Sequence, residues 1–529
     1  MKSFVGLFLL VSGAAAQPQI AANGVLNAAS NAQVLWPNSS IAQGSIFSIY
    51  GTSLGPASTP ALAYPLQASL GGVSIQVSSG NMILNAIPIF AGPTQINAIL
   101  PDGTPVGAAT LTVTYNGQTS NAVSFQVTAN SFGIFTVRGD GSGSGVITGP
   151  NYQLYPVSSP ARPGDAATIW GTGIGPSPGD DGSGPPRQID MPDLPLSVYV
   201  GTQAATVTYR GRGGFSGEDQ INFVVPAGVT GCYVPVAVEI GNIVSNFATM
   251  PIAPAGQACP DPTPPVPALG PYSPKGDFSP TGIIMLTRNT TIGTTTSTTD
   301  SGEAYFGDPQ ILAFPYFPPF VGNPYSLPPG TCIGGIIVEG TFSILSGPPL
   351  DAGPAITITG PNGSQQLEQA PEYYSAQLGG GSGATAQPPY LSAGAYTASA
   401  PGGANAMPIL NVGPFTQNFT IPQAFNWTNQ ATINTVDRSA GLEVTWTGGD
   451  PNGTIQITGN YESFICNAKT SDQHFTIPAF VLLSLAPSPA GSTEDLKLSA
   501  TTTTPFNASG ISSGTIESVV TIQKNVTYQ

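Results

Sequence analysis

The sequence predicts an all-β protein, with tandem immunoglobulin-like β-sandwiches followed by a further β-sandwich-rich region. Three observations support this fold class. A strand-like segment occurs twice, about 120 residues apart, which is the size of one immunoglobulin-like sandwich. The chain has 66 glycines and 54 prolines among 529 residues, which suits many turns between short strands. No segment shows a convincing helical period of apolar residues.

The duplication consists of three matched motifs. Each copy contains a strand-and-turn segment, a Q-I-N segment and a Ser-Asn pair, at Gly44–Pro56, Gln95–Pro101 and Ser120-Asn121, and again at Gly164–Pro176, Gln220–Pro226 and Ser245-Asn246. The first motif has an offset of 120 residues, and the two later motifs have an offset of 125. The chain therefore contains a tandem duplication with about five extra residues in the second copy.

The first motif predicts a half-buried strand followed by a turn. Phe47 and Ile49 point to one side of an extended chain, while Ser48 and Tyr50 point to the other, and the second copy keeps this alternation. In the G-T-x-[LI]-G-P sequence that follows, Gly51 permits unusual backbone angles, and the closing proline prevents the ladder from continuing.

These motifs support a resemblance to a known family. The G-T-x-L-G-P turn, P-T-Q-I-N at Pro93–Asn97, G-F-S-G-x-D-Q-I-N at Gly214–Asn222 and the paired Ser-Asn resemble the Solibacter-type C-terminal domain of secreted acidobacterial proteins. The turn also resembles IPT/TIG-type immunoglobulin-like modules. The resemblance covers about residues 25–255 and implies no catalytic residues. In that family the region usually ends the chain, whereas about 270 residues follow it here.

The N-terminus predicts export. Lys2 is followed by an apolar run at Phe4–Val11 and by the small residues Ala14–Ala16, so residues 1–16 are predicted to be a signal peptide cleaved after Ala16. No later stretch approaches eighteen apolar residues, so we expect no transmembrane span. The predicted location is secreted, extracellular or at the cell surface.

The composition limits the classes of partner. The net charge is −15, with only 12 Lys and Arg residues, which argues against nucleic acid and anionic membranes because both need basic patches. Charged residues are only 7%, so Ser, Thr, Asn, Gln and Gly must cover most of the surface. The partner is unknown from sequence; a polysaccharide or a cell-envelope protein is the expected class, and no cofactor is predicted.

The chain divides into four regions after the signal peptide. Unit one is predicted at residues 24–137 and unit two at 150–256, each an immunoglobulin-like β-sandwich, with Arg138–Gly145 as a flexible connector. Residues 257–280 are rich in proline and predict a semi-rigid linker. Residues 281–529 form a C-terminal all-β region, which is either one large sandwich or two smaller ones.

Four cysteines in an exported chain indicate disulfides, and three pairings are open. We favour Cys232–Cys259 and Cys332–Cys466, because each pair then lies within one predicted region. A metal site is the weaker alternative, since it would need tighter spacing and histidine partners.

Few residues are candidates for chemistry. The single histidine, His474, is more simply interpreted as a polar residue at a strand entrance than as a general base, and no G-x-S-x-G motif accompanies it. Asp140 and Asp180-Asp181 lie in Gly/Ser-rich loops that could supply calcium ligands, but neither site has the spacing of a known calcium motif. We therefore predict no catalytic, cofactor-binding or metal residues.

Two tryptophans are candidates for sugar stacking. Trp427 and Trp446 lie in similar settings, FNWTN and VTWTGG, and an aromatic face on a sheet can stack on a sugar ring. The alternative is that both rings pack in the core of a sandwich. Exposure of the two rings on one sheet face would distinguish the two interpretations.

The sequence favours a non-enzymatic exported protein for adhesion, cell-surface structure or ligand presentation. The alternative is a carbohydrate-binding protein or an accessory module of a polysaccharide-degrading system. An enzyme of unrecognised type is a third hypothesis, which would require two carboxylates close together in a deep pocket.

Overall fold

The structure is a computed structural model that describes residues 16–58, 60–177, 182, 188–259, 280–307, 327–335, 349–371, 373–381, 386–461 and 463–529. The all-β class is confirmed. The described helical elements are one short α-helix and three 3-10 turns: α1 (Ala479–Leu483), Pro408–Leu410, Gln430–Thr432 and Thr470–Asp472. Nearly all of the predicted signal peptide and most of the proline-rich segment lie outside the described residues.

Unit one contains ten strands, and its sheet begins at Gln19 and ends at Thr128. The strands are β1 (Gln19–Asn27), β2 (Ile41–Ala42), β3 (Ile46–Thr52), β4 (Ser69–Leu70), β5 (Val73–Ser79), β6 (Met82–Ala91), β7 (Gln95–Ile99), β8 (Gly107–Tyr115), β9 (Gln118–Thr119) and β10 (Val123–Thr128). The hydrogen-bonded order is β1-β3-β7-β6-β5-β8-β10-β2. Strand β6 pairs with β5 at one end and with β7 at the other, so it belongs to both layers of the sandwich.

Unit two repeats this arrangement between Gly133 and Ile252. Its strands are β11 (Gly133–Ile134), β12 (Ile147–Thr148), β13 (Ala166–Thr172), β14 (Ile189–Asp190), β15 (Leu196–Val200), β16 (Gln203–Arg212), β17 (Asp219–Val224), β18 (Gly231–Ile240), β19 (Ile243–Val244) and β20 (Ala248–Ile252). The order β13-β17-β16-β15-β18 corresponds strand for strand to β3-β7-β6-β5-β8. Alternating apolar side chains, such as Val198 and Val200 on β15, fill the core between the layers.

The Ser-Asn pair closes each unit by the same hydrogen bonds. In unit one, the Asn121 amide accepts from Ile20 N (2.8 Å) and donates to Ile20 O (3.1 Å), and Val113 N donates to Ser120 Oγ (2.9 Å). In unit two, the Asn246 amide makes the same two bonds to Ile134 (2.8 and 3.0 Å). The motif therefore fastens the first strand of each sandwich to its last strands.

The segment 138–145 is not the flexible connector that the glycine content predicts. Val137 N donates to Ser144 O, Gly145 N donates to Thr249 O, and Thr249 N donates to Gly143 O, all at 2.8–2.9 Å. These bonds form because the segment runs beside β20, whose backbone groups would otherwise lack partners on that side. The segment therefore forms an ordered part of unit two.

The described residues of the C-terminal region form sixteen strands. They are β21 (Thr281–Ile292), β22 (Ser297–Gly307), β23 (Thr331–Gly334), β24 (Ala355–Gly360), β25 (Gly363–Gln369), β26 (Tyr374–Gly381), β27 (Gly394–Ala400), β28 (Phe415–Ile421), β29 (Phe425–Trp427), β30 (Thr435–Val436), β31 (Leu442–Gly448), β32 (Thr454–Gly459), β33 (Phe464–Lys469), β34 (His474–Ile477), β35 (Glu494–Phe506) and β36 (Ser513–Tyr528). Thirteen of them join in one sheet, and β29-β31-β34 form a separate three-stranded sheet.

This large sheet supports two hydrophobic cores, named here for one buried residue in each. The Trp427 core lies under β29, β31–β34 and α1, and the Phe306 core lies under β21, β22 and β24–β28. The long β35–β36 hairpin contributes to both, because Leu498 lies in the first core and Phe506 in the second. The sequence left open one sandwich or two, and the structure contains two cores on one continuous sheet.

Replacing Asn121 by Ala removes both hydrogen bonds to Ile20. We expect the free energy of unfolding of unit one to fall by about 1–3 kcal/mol, because two backbone groups lose their partners. Hydrogen exchange across Gln19–Asn27 and calorimetry of the full chain measure this loss. Asn85→Ala, at an exposed strand position, provides the control. An equal loss of stability in Asn85→Ala would contradict the role of the Asn121 hydrogen bonds.

Candidate functional site

The predicted sugar-stacking tryptophans are buried. Trp427 and Trp446 face each other across the β29–β31 pair, and each side chain is only 1% exposed. The Trp427 indole donates to Asn429 Oδ1 and the Trp446 indole donates to Thr470 O, both at 2.9 Å. The hypothesis of a sugar platform at these residues is therefore corrected. Their rings fill the core of the C-terminal region, where the large apolar area and the satisfied N–H groups stabilise the fold.

Both disulfides have the favoured pairing. Cys232 bonds to Cys259 beside Ala253, and Cys332 bonds to Cys466 across the paired strands β23 and β33. These disulfides close 27 and 134 residues of chain, respectively. Each therefore restricts the unfolded chain within its own region, which is a structural role.

The other candidates have structural surroundings. His474 is exposed at the start of β34, with Nδ1 2.8 Å from Asp472 O. Asp140 accepts from Arg138 Nε at 3.0 Å and from the amide and hydroxyl of Ser142. Within the described ranges, no group of three or more His, Cys, Asp or Glu residues is placed to hold a metal ion. Asp180 and Asp181 lie outside the described residues.

The most unusual electrostatic feature is a buried charge cluster between the two units. Arg212 on β16 is fully buried, pairs with the equally buried Asp219 on β17, and lies 3.5 Å from Oδ1 of Asp102 in unit one. Ile174 N donates to Asp219 at 2.7 Å, and Ser177 N donates to Asp102 at 3.1 Å. Two carboxylates therefore share one guanidinium: Arg212 and Asp219 are fully buried, and the Asp102 side chain is 13% exposed.

Burial raises the pKa of Asp219 to about 6, although Arg212 and backbone N–H groups act in the opposite direction. The desolvation of the charged carboxylate is the larger effect. Gly44 completes the site from unit one. It has φ +72°, and a Cβ at this position would lie 2.1 Å from Asp102 Oδ1 and 2.3 Å from Arg212 Nη2. Only glycine fits there, because both the backbone angle and the close approach exclude a side chain.

The extra residues of the second copy lengthen the β16–β17 hairpin and its loop, which reaches unit one. Phe90 and Tyr209 occupy equivalent positions opposite Asn97 and Asn222. The chain then takes five residues to reach Gln95 but eleven to reach the equivalent Gln220. The additional length is divided between the connecting loop, which has six residues (213–218) where unit one has three, and the longer adjoining ends of β16 and β17.

Apolar residues from both units surround this loop. Phe215 of the loop packs with Phe135 against a cluster from unit one that contains Ile46, Ile87 and Ile99. Ile46 N also donates to Thr172 Oγ1 at 2.8 Å, and Thr172 Oγ1 donates to the carbonyl of Gly217 at 2.6 Å. The loop 213–218 therefore helps to fasten unit two to unit one, together with Thr172 and Arg212.

A second interface joins unit two to the C-terminal region. Tyr199 stacks on Phe480 of α1 with ring centroids 3.9 Å apart and planes 8° apart. Phe247 of unit two belongs to the Trp427 core, and Thr202 Oγ1 donates to Gly330 O at 2.8 Å. Burial raises the pKa of Tyr199 to about 12, with a further contribution from its hydrogen bond to Glu239. The two regions therefore share one hydrophobic core.

A shallow cavity of about 360 Å³ lies between the two cores of the C-terminal region. Its lining includes Arg288, Ser392, Gln423 and Ser518. The Arg288 guanidinium makes two hydrogen bonds to the buried carboxylate of Asp300, at 2.7 and 2.8 Å. This pair holds a cation at the cavity wall, and the carboxylate neutralises its charge.

No family model matches the chain, and no curated protein matches it. Solved structures with similar architecture include a tetra-tandem repeat from the extending region of a large adhesion protein, at 13% identity, covering 92% of this chain and 95% of that one, with a TM-score of 0.14. Domains 5–6 of the S-layer protein SbsC match at 13% identity over 45% of this chain and 99% of that one, with a TM-score of 0.18.

A third similar structure is SGBP-B of the Bacteroides ovatus mixed-linkage glucan utilization locus, in complex with a heptasaccharide. It matches at 10% identity over 88% of this chain and 90% of that one, with a TM-score of 0.14. At such low identities and TM-scores, none of these likenesses carries an argument about function. In the part of the chain that the structure describes, no helix has the length and apolar character needed to span a membrane.

Replacing Trp427 by Ala is expected to lower the free energy of unfolding by about 3–5 kcal/mol, because it leaves a large void in the C-terminal core. Calorimetry of the full chain measures the loss. Replacing the half-buried Trp36 by Ala is the control, and we expect a smaller change there. An unchanged melting temperature for Trp427→Ala would contradict the buried position.

The charge cluster predicts a pH dependence of stability. The folded-state pKa of Asp219, about 6, lies above the ordinary value of 3.8, so the folded chain binds more protons between these values. The free energy of unfolding should therefore fall as the pH rises from about 4 to about 6, by up to about 3 kcal/mol. Calorimetry at several pH values tests this. Asp219→Asn should remove the slope, and the exposed control Asp193→Asn should keep it. Equal slopes in both variants would contradict the assignment.

Proposed function

We propose that this chain is an exported, non-enzymatic protein that acts as a rigid element in adhesion, cell-surface structure or ligand presentation. One observation carries the proposal: both boundaries between its β regions are built from interlocking side chains of the two partners. Domains that are joined only by linkers move relative to one another, unless their interface is large and apolar. Here the interfaces favour one fixed arrangement of the three regions. Such an arrangement suits a protein that presents a surface in a fixed orientation.

The first interface supports this proposal by its chemistry. A buried guanidinium between carboxylates of two units is costly to desolvate, and it is stable only while both units supply its partners. Separation of the units would expose Phe215 and the apolar cluster around Ile99, and it would leave Arg212 with fewer partners. The arrangement therefore favours a single relative orientation of units one and two.

The composition supports a location outside the cytoplasm. Two disulfides persist most readily in oxidising compartments. We also propose that residues 1–16 are a signal peptide, and that residues 25–255 belong to the Solibacter-type family. The ordered motifs support this membership, since the Ser-Asn pair and the Q-I-N segment have the same structural role in each unit.

Carbohydrate binding, alone or as an accessory to a polysaccharide-degrading system, is the second candidate function. Trp427 and Trp446 no longer support it, because their rings are buried. Another observation does favour it, which is an exposed aromatic pair on the outer face of unit two. The pair consists of Tyr152 and Trp170.

Surface labelling tests the proposed location and role. Intact cells of the source organism are treated with a membrane-impermeant biotin reagent, and labelling of this chain is compared with labelling after lysis. We expect labelling of intact cells, together with reduced attachment to surfaces or altered envelope architecture in a deletion strain. Labelling only after lysis, or a catalytic turnover by the purified chain, would contradict the proposal.

Replacing Phe480 by Ala is expected to release the C-terminal region from unit two. The variant loses the stacked ring of Tyr199 and opens the shared core, at a cost of about 3–5 kcal/mol locally. Small-angle X-ray scattering should give one compact set of distances for the unaltered chain and a broader, longer distribution for the variant. Tyr461→Ala, at an exposed turn, is the control. A broad distribution already present in the unaltered chain would count against the rigid arrangement.

A further inference from the structure

Unit two has an exposed pair of aromatic rings that the sequence analysis did not assign. Tyr152, in the turn after β12, lies against Trp170 of β13, with ring centroids 6.0 Å apart and planes at 36°. Tyr152 is 68% exposed, and Trp170 is half-buried. The indole N–H donates to Thr148 Oγ1 at 2.9 Å, so the orientation of the larger ring is held. The result is an aromatic surface that is accessible to solvent.

The backbone of Tyr152 is in an unfavourable conformation. It has φ +59°, in the left-handed region, inside a turn closed by the bonds Tyr152 N to Gly149 O and Gly149 N to Gln153 O, both 2.9 Å. Glycine or asparagine adopts this conformation at lower cost than a bulky residue. Among the described residues, the Tyr152 hydroxyl has no hydrogen-bond partner that would compensate. Tyr461 has the same exposure and a similar φ of +56°, so the case for Tyr152 rests on the Trp170 ring beside it.

Hydrogen-bonding groups lie beside the two rings. Gln220, the cross-strand neighbour of Trp170, donates to Asn222 Oδ1 at 2.9 Å and accepts from Gln188 Nε2 at 2.9 Å. Glu218 lies near the indole edge, since a Cβ at Gly213 would be 3.0 Å from Glu218 Oε2 and 3.2 Å from Trp170 Cζ3. Burial raises the pKa of Glu218. The Gln220 amide is only 5% exposed and is engaged within the protein as donor and as acceptor, so the Glu218 carboxyl is the group that can meet a ligand at the ring edge.

This combination suits a hydroxylated ring ligand. The apolar C–H face of a pyranose can lie on an aromatic ring, while a carboxyl group at the ring edge accepts hydrogen bonds from its hydroxyls. The Glu218 carboxyl at the indole edge disfavours an anionic sugar, because like charges repel. We propose that Tyr152 and Trp170 form a binding site for a neutral polysaccharide on unit two. This proposal rests on the proposed function only because it requires that the chain is exported. It gives the chemical class of one partner at the cell surface.

The equivalent position of unit one carries a different aromatic residue. Tyr50 occupies the position of Trp170, next to Gln95, but its hydroxyl donates to Asn31 Oδ1 at 3.2 Å. The hydroxyl is therefore engaged within unit one, whereas that of Tyr152 faces solvent. Divergence of the two copies at this position gives one unit a free aromatic surface and leaves the other with a structural tyrosine.

Binding is tested with the full chain from residue 17. Affinity gel electrophoresis in hydroxyethyl cellulose, arabinoxylan, amylose and galactomannan detects retardation by each neutral polysaccharide, and tryptophan fluorescence during titration reports contact with Trp170. We expect retardation by at least one of the four and a change in fluorescence that Trp170→Phe removes. Trp36→Phe, which alters the other half-buried tryptophan, should retain the fluorescence change. No retardation by any of the four would overturn the proposal.

The decisive variant is Tyr152→Asn. Asparagine tolerates the left-handed backbone, so the melting temperature should stay equal or rise, while binding weakens by about tenfold. Tyr461→Asn is a matched control, because Tyr461 has the same 68% exposure and φ +56°. Unchanged binding in Tyr152→Asn, or an equal loss in Tyr461→Asn, would overturn the site. Surface labelling and scattering are independent of glycan binding, so failure of this site leaves the proposed function standing on its own tests.

Discussion

The buried Arg212 is the constraint on which the arrangement of the first two units depends. A guanidinium without water must have acidic or carbonyl partners, and here these come from Asp219 and Gly175 of its own unit and from Asp102 of the other. The inserted loop 213–218 places Phe215 beside this cluster. The charge cluster and the apolar packing therefore favour the same orientation of unit one relative to unit two. The outer faces of the two units then have fixed positions relative to each other.

The duplicated motifs and the differences between the copies have distinct roles. The Ser-Asn pair closes each sandwich, and the Q-I-N segment forms a ladder of amides on the outer face, with Gln95 donating to Asn97 and Gln220 donating to Asn222. These roles are structural, so both copies keep them. The copies differ where surfaces face outward or meet. Trp170 stands where unit one has Tyr50, and the inserted loop stands where unit one has a short turn.

The C-terminal region shows how one hairpin can support two cores. Strands β35 and β36 are longer than the other strands, and they pass from the Trp427 core to the Phe306 core. At the crossing, Ser518 of β36 lines the cavity between the cores. The stack of Tyr199 on Phe480 then joins the nearer core to unit two. The three regions thus form a series in which each contacts the next.

Local pattern in the sequence determined the all-β class, the two repeats and the length of the insertion, because alternation and turn residues act between near neighbours. It also favoured the correct pairing of Cys232 with Cys259. Only the tertiary structure decided which aromatic rings are exposed. Trp427 and Trp170 occupy similar alternating strands, yet the first is fully buried and the second is only half-buried. Local sequence pattern also does not reveal the role of Arg212. Its partner Asp102 lies 110 residues away in the chain and contacts it only when the two units dock.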